Sequence, residues 1–298
     1  MHPPPLYLLL PFFAGGVFAL GSLCLKRSFR EGATMPLTLL ATNCLLGFAF
    51  LPLLAAGSGP VPWDRWSLPF LTGTAYFAGQ LFNFLALRSG DVSLVTPVLG
   101  TKVVFVVLLG WMSFGTALRP VHGVAAVLTT AGVWLMSSGS GRSGGHPVRT
   151  TLLALASGAS FAACDLMLQR WVGRLGLTAF LPMMFASVAA MSLGLVPWVG
   201  ASGFRPPGRA WRWMAAGGAL TAAQSFLISG SIGWSHDATG VNVVYTLRGL
   251  WAIALVWSAG RWLGNDERAQ AGPGVLARRW VGATAILGAV VLAAAAAR

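Results

Sequence analysis

Charge is what this sequence has least of. Only 9% of its 298 residues are Asp, Glu, Lys or Arg, where a soluble domain carries roughly 25%. With 56% hydrophobic residues and a mean hydropathy of +0.72, the chain cannot furnish a water-facing shell. A soluble globule is therefore excluded, and lipid is the expected solvent. Acids are especially scarce: seven, against twenty Lys and Arg, for a net charge of +13. In a soluble chain that excess would suggest nucleic acid. Here most cations sit in short gaps between apolar runs, where they set topology against anionic headgroups, so no nucleic-acid partner is expected. Cysteine is rare as well. Cys24, Cys44 and Cys164 lie inside apolar segments, at spacings that fit neither a disulfide framework nor a metal site. The four histidines, His2, His122, His146 and His236, fall at ends and loops. No GxSxG, HExxH, Walker loop or dinucleotide fingerprint occurs. No enzyme, cofactor or bound metal is expected. Met1–Pro5 lacks a basic region and the first apolar run continues past Leu20, so no cleavable signal peptide is expected.

What the sequence does have is long apolar runs. A spanning helix needs about 20 mainly apolar residues. Ten such segments are predicted, at about 6–25, 35–56, 67–87, 92–114, 121–138, 150–170, 178–200, 211–232, 239–261 and 276–296. Lys/Arg, Pro and Gly fill the gaps, and the longest Gly/Ser-rich gap divides the chain near its midpoint.

The two halves match. Asp91–Trp111 falls on Asp237–Trp257 when shifted by 146 positions, with Val95 on Val241, Lys102 on Arg248 and Phe105 on Trp251. Phe18-Ala19 and Arg27 match Phe161-Ala162 and Arg170 at an offset of 143, and Gln80 and Phe82 match Gln224 and Phe226 at 144. Gly15 falls on Gly158. Five helices per copy is an odd number, so the second copy enters from the opposite side and a pseudo-two-fold axis lies in the membrane plane. The predicted fold is all-α: a polytopic membrane protein of ten transmembrane helices in two inverted five-helix repeats, residues 1–140 and 150–298, joined by a linker at 141–149. Loops on one side hold thirteen Lys and Arg and those on the other hold five. The positive-inside rule then puts both termini outside the cytoplasm of a multi-pass inner-membrane protein.

The functional candidates are the polar residues inside these segments. Lys102 and Arg248 each sit near the middle of an apolar run, where a charge costs about 2.5–3.5 kcal/mol on insertion scales. One intramembrane acid, Asp165, can neutralise one of the two, which leaves a positive charge for an anionic or zwitterionic solute. Asp165 is also the candidate for proton coupling, because no ATP site is present to drive uphill work. Tyr76, Gln80 and Asn83 recur at i, i+4, i+7 on one helical face. Gln224 occupies the matching helix of the second half, with Thr221 and Ser231 along its face. Tyr245, Arg248 and Trp251 line one face of the ninth segment, and Phe105 and Trp251 are candidate apolar walls. Each glutamine could instead serve an interhelical hydrogen bond. Pro97, five residues before Lys102, is a candidate kink. Asp91 and Asp237 are expected to cap helix N-termini.

Ten segments in two matching halves, a first segment ending FALGSLCLKR and the Gly264-Asn265-Asp266-Glu267 sequence after the ninth resemble the EamA family of the drug/metabolite transporter superfamily. In the first half the corresponding pattern is incomplete, with Gly115-Thr116 in its place. The resemblance implies alternating access around a central cavity and export or exchange of amino acids, other metabolites, nucleotide sugars or sugar phosphates. Organic-phosphate exchangers of the superfamily hold phosphate with basic residues on their fourth and ninth helices, the two that carry Lys102 and Arg248 here. The expected function is gradient-driven transport of a small anionic or zwitterionic metabolite. Lys102, Arg248, Gln80, Gln224, Tyr245, Trp251, Tyr76 and Asn83 are its candidate binding residues. The alternative is a lipid flippase or lipid-headgroup binding protein.

Overall fold

The computed structural model describes residues 9–57, 63–114, 120–137, 147–264 and 267–297. Among these residues every regular element is a helix and none is a strand. In chain order the α-helices are α1 (Leu9–Arg30), α2 (Met35–Phe50), α3 (Ser67–Ser89), α4 (Val92–Val98), α5 (Lys102–Phe114), α6 (Pro120–Ser137), α7 (Pro147–Leu175), α8 (Leu177–Leu193), α9 (Val196–Gly203), α10 (Gly208–Ser235), α11 (Ala238–Tyr245), α12 (Arg248–Ala259) and α13 (Glu267–Ala297). Five described stretches are long and apolar enough to cross a membrane: Leu9–Arg30, Met35–Leu54, Val92–Ser113, Pro147–Leu175 and Ala238–Ala259. At about 1.5 Å per residue, a 22-residue helix is roughly 33 Å long, enough for a hydrocarbon core of about 30 Å. α3 and α10 have the length as well, but buried Tyr76, Gln80 and Asn83 on one and Gln224, Ser225 and Ser231 on the other make them less apolar.

The segments predicted at 92–114 and 239–261 exist, but neither is one continuous helix. α4 gives way to a single 3-10 turn, Leu99–Thr101, before α5 begins. Pro97 lies just upstream, where it removes one backbone donor and crowds the preceding turn. α11 and α12 are separated at Thr246 and Leu247 without any proline. There the Thr246 hydroxyl donates back to the Asn242 carbonyl at 2.8 Å, a bond that competes with the helical ladder and bends it. The two breaks touch: Thr246 Oγ1 lies 3.5 Å from the Gly100 carbonyl oxygen. The predicted segment 178–200 is also divided, into α8 and α9. Pro197 cannot continue a helix past the Leu193 carbonyl, and the chain turns at Gly194-Leu195. Of the predicted linker 141–149, residues 141–146 lie outside the described residues, as do Gly115-Thr116 and Asn265-Asp266. Pro147 opens α7 at a position where its missing N–H costs nothing.

Helices of the first half pack on helices of the second through small residues. α1 lies on α10, where Gly217 faces Leu25. α3 lies on α7, where Gly79 faces the Phe161 ring and the Ser157 hydroxyl donates to the Gly79 carbonyl at 2.8 Å. α2 packs on α8 through Gly47 and Ala189, and α6 on α13 through Gly132 and Gly282. α4 meets α12 at Pro97 and Gly249. Without a hydrophobic driving force between helices in lipid, such close approach supplies the van der Waals attraction that holds them.

The contact of Gly249 with the α4 backbone predicts a stability effect. A Cβ on Gly249 would stand 2.8 Å from the Pro97 Cα, a backbone atom that cannot swing aside. Gly249→Ala should destabilise by about 1–3 kcal/mol. Gly230→Ala, on an open face of α10, should be neutral or gain up to about 1 kcal/mol from helix propensity. Unfolding of the purified variants in detergent tests the contrast, and equal stabilities would mean that the contact is not tight.

Candidate functional site

Lys102 and Arg248 are each the first residue of the helix that follows a break: Lys102 opens α5 and Arg248 opens α12. A cation at a helix N-terminus meets the unfavourable end of the macrodipole, so helix geometry does not explain these side chains. Both are buried, at 4% and 3% exposure. Gly15 and Gly158 let α1 and α7 run close beside them: a Cβ on Gly15 would lie 3.2 Å from the Arg248 amide nitrogen, and one on Gly158 would lie 3.7 Å from that of Lys102.

The two cations are compensated unequally. Lys102 Nζ lies 2.6 Å from Asp165 Oδ2 on α7, and the Asn242 side-chain amide donates to the same oxygen at 2.5 Å. Asp165 thus pairs with Lys102, not with Arg248. The Arg248 guanidinium has no carboxylate partner among the described residues. Nη2 donates to the Leu99 carbonyl at 2.7 Å, an acceptor at the 3-10 turn. Nε is buried with no hydrogen-bond partner. Its Cζ stands 4.3 Å from the Tyr245 ring centroid and 5.0 Å from that of Phe18, where aromatic faces attract the cation. Lys102 Nζ lies 5.6 Å from the Phe161 centroid and 6.0 Å from that of Tyr245.

A chain of hydrogen bonds runs beside the cations. Gln80 Nε2 donates to the Tyr76 hydroxyl at 3.1 Å, and that hydroxyl lies 2.7 Å from Ser225 Oγ. Gln224 Nε2 donates to Ser225 Oγ at 2.7 Å, and Tyr245 donates to Gln224 Oε1 at 2.6 Å. Lys102, Arg248, Asp165, Tyr76, Gln224 and Tyr245 all line one cavity with Phe18, Phe161, Cys164, Ser225, Ile228 and Ser229. Its volume is about 30 Å³, and a single water needs about 10–15 Å³. The cavity therefore has room for a water or two, and a metabolite enters only if helices move. No lining residue is more than 9% exposed.

Three residues singled out in the sequence lie elsewhere. Gln80 stands one hydrogen bond behind the lining. Asn83 is buried further along α3, with Oδ1 unpartnered. Trp251 is 36% exposed and packs on Phe12, with ring centroids 5.6 Å apart, and over Gly16. Neither Trp251 nor Phe105 walls the cavity, a role taken by Phe18 and Phe161. Those two were legible as a matched pair in the repeat, but aromatic residues in apolar helices give no polar signal. The Leu99 carbonyl and Asn242 were missed entirely.

The capping aspartates divide. Asp237 caps α11, accepting from the Gly240 amide at 2.7 Å. The side chain of Asp91 makes no capping bond at α4; it pairs with Arg279 of α13 at 2.6 Å. Arg279 is completely buried and also bonds Ser93. In the sequence it reads as a loop-end cation. α13 begins at Glu267, however, so Arg279 lies three turns inside the helix.

Helices alone among the described residues, several of them long and apolar enough to cross a membrane, around a buried polar cavity point to a multi-pass membrane protein. Residues 5–138 match the EamA-like transporter family. Over that stretch the chain is similar to members of this family, within the drug/metabolite transporter superfamily. No curated protein matches it. A solved crystal structure, described only as that of a protein, shares the fold over 99% of both chains with a TM-score of 0.64 and 21% identity.

The Asp91–Arg279 pair yields a test. Removing one partner of a buried pair costs about 3–5 kcal/mol, because the other charge is left uncompensated. Arg279→Ala should lose stability in that range, and the Asp91→Ala/Arg279→Ala double variant should recover part of it. Denaturant titration in detergent reads both, and a parent-like single variant would refute the pairing.

Proposed function

We propose that the chain is a gradient-driven transporter that moves a small anionic or zwitterionic metabolite by alternating access, with its binding site between Lys102 and Arg248. One observation carries this reading: a buried arginine with no carboxylate partner shares a cavity with a lysine whose carboxylate is already in place. The site holds two cations and one acid, and a single negative group from the solute completes the balance. Arg248 receives that group, since its Nε lacks a hydrogen-bond partner. Tyr76, Gln224 and Tyr245 orient the rest, and Gln80 acts through Tyr76. Asp165 is the coupling candidate: a proton on its carboxylate would release Lys102 to the solute. Asn83 and Trp251 are given no contact with the solute.

The proposed architecture is ten spans in two inverted repeats, 1–140 and 150–298, around the 141–149 linker. Its support is the reciprocity of contacts. Gly15 abuts Arg248 while its match Gly158 abuts Lys102. Phe18 lies under Arg248 while its match Phe161 lies under Lys102. Gly100 and Thr246, matched at an offset of 146, touch each other. Two broken helices meeting at the cavity supply hinges of the kind transporters use at midplane sites. The excess of Lys and Arg on one side supports an inner-membrane protein with both termini outside the cytoplasm. The lipid-handling alternative needs a site open to the bilayer, and the burial of every lining residue counts against it.

Transport into proteoliposomes tests the assignment. Losing a charge-assisted hydrogen bond costs about 1.5–3 kcal/mol, or roughly 10–100-fold in affinity. Arg248→Ala and Lys102→Ala should each lose that much for the transported anion, and Arg248→Lys should recover part. If both alanine variants keep parental affinity for every anionic solute carried, the binding role is wrong. Asp165→Asn should retain solute exchange and lose proton-driven accumulation, and accumulation at the parental level would remove Asp165 from the coupling.

A further inference from the structure

The net charge of the central cavity does not depend on where its protons sit. Lys102 and Asp165 are in contact at 2.6 Å. Whether the shared proton rides on the amine or on the carboxylate, that pair sums to zero. Arg248 adds one positive charge that stays, because a guanidinium is not deprotonated in proteins. Tyr76, Tyr245 and Cys164 are the other titratable lining groups. They are neutral at pH 7 by their ordinary values, about 10 for tyrosine and 8.5 for cysteine. Among the described lining residues the cavity therefore carries one net positive charge. Both cations stand beside the Tyr245 ring, so a solute bound there meets both. The lining is buried, where salt screens charges much less than at a surface.

We infer, on the proposed reading of this cavity as the solute site, that the solute is a monoanion without an ammonium group. It is a simple carboxylate, oxo acid or hydroxy acid, and not an amino acid, a dicarboxylate or a phosphate monoester. A monoanion gives the cavity two positive and two negative groups. An amino acid brings a third cation and leaves the surplus in place. Its ammonium reaches a carboxylate only by competing with Lys102 for Asp165, whose Oδ2 also accepts from Asn242. A dicarboxylate brings a second negative charge, as does a phosphate monoester at about −1.5 to −2, and the excess is then negative. A charge left uncompensated away from water is costly in either sign. Arg248 supplies a matching donor, since its Nε is buried without a hydrogen-bond partner and guanidinium–carboxylate bonds are among the strong ones.

The experiment titrates the full chain in phosphatidylcholine nanodiscs with size-matched probes near neutral pH, at matched ionic strength, and reads melting temperature. One set is pyruvate, alanine and malonate. A second is 4-methyl-2-oxopentanoate, leucine and isopropylmalonate, and a third is phenylpyruvate, phenylalanine and phenylmalonate. In at least one set the oxo acid should stabilise saturably, with an apparent affinity about tenfold or more above the amino acid and the dicarboxylate, as one lost charge-assisted contact implies. Arg248→Gln leaves only the neutral Lys102–Asp165 pair and should shift preference toward the amino acid. Asp165→Asn leaves two cations and should shift it toward the dicarboxylate. The parental comparison decides the matter whether or not these variants fold. A parental protein that binds the amino acid or the dicarboxylate as tightly as the oxo acid overturns the monoanion inference. If that binding is still lost in Arg248→Ala, the central site remains the binding site and only the charge rule fails. Binding unchanged in Arg248→Ala overturns both. No response to any probe, or the parental order of preference in both Arg248→Gln and Asp165→Asn, also overturns the charge rule.

Discussion

Two cations and one carboxylate share a buried cavity in this protein, and the surrounding structure answers to that imbalance. Burial of a charge away from water is tolerated only with compensation. Asp165 compensates Lys102 directly and is held on its other side by Asn242. Arg248 is compensated by weaker means: one carbonyl and two aromatic faces. Arginine suits that arrangement better than lysine would. Its delocalised charge is less strongly hydrated, and its plane stacks on rings. The carbonyl comes from Leu99, at the turn where α4 stops and α5 starts. The break in the helix and the tolerance of the buried arginine are therefore one feature seen from two sides.

The second buried pair provides a contrast. Arg279 and Asp91 are opposite charges paired one to one, and Ser93 adds a further bond to the arginine. That arrangement ties the start of α4 to α13. The short helix α4 is thus anchored by a matched pair at one end and broken beside an unmatched cation at the other. Its proline packs on Gly249 of α12 in between. A movement of α4 and α5 relative to each other about Leu99–Thr101 would leave the anchored end in place while altering the cavity.

The two cavities differ in a way that fits their chemistry. The central one, at about 30 Å³, is lined wholly by buried residues. A second cavity, at about 710 Å³ where α1 turns into α2, carries Arg30 and Arg88 exposed to water. A positive charge there costs little and acts over a Debye length of about 8–10 Å at physiological salt. A positive charge at the centre is expensive and acts at contact range.

Much of the central site was legible in the sequence because polar groups in apolar runs are costly and therefore conspicuous. Lys102, Arg248, Asp165, Gln224, Tyr76 and Tyr245 stood out on that ground alone, and all six line one cavity. Trp251 shows where helical periodicity misleads. It was aligned with Tyr245 and Arg248 by helical spacing, but the chain breaks between those two residues, so the periodicity does not carry across. Arg279 shows another failure: a cation near the edge of an apolar run looks the same whether it faces water or a buried aspartate. Composition and periodicity determined the helical, membrane-embedded class and the rare residues that matter, because desolvation cost is a property of each residue type. Which cation Asp165 neutralises, which aromatic faces the other, and whether the cavity is open were decided by tertiary packing. Those outcomes depend on distances of a few ångströms between helices that no sequence spacing encodes.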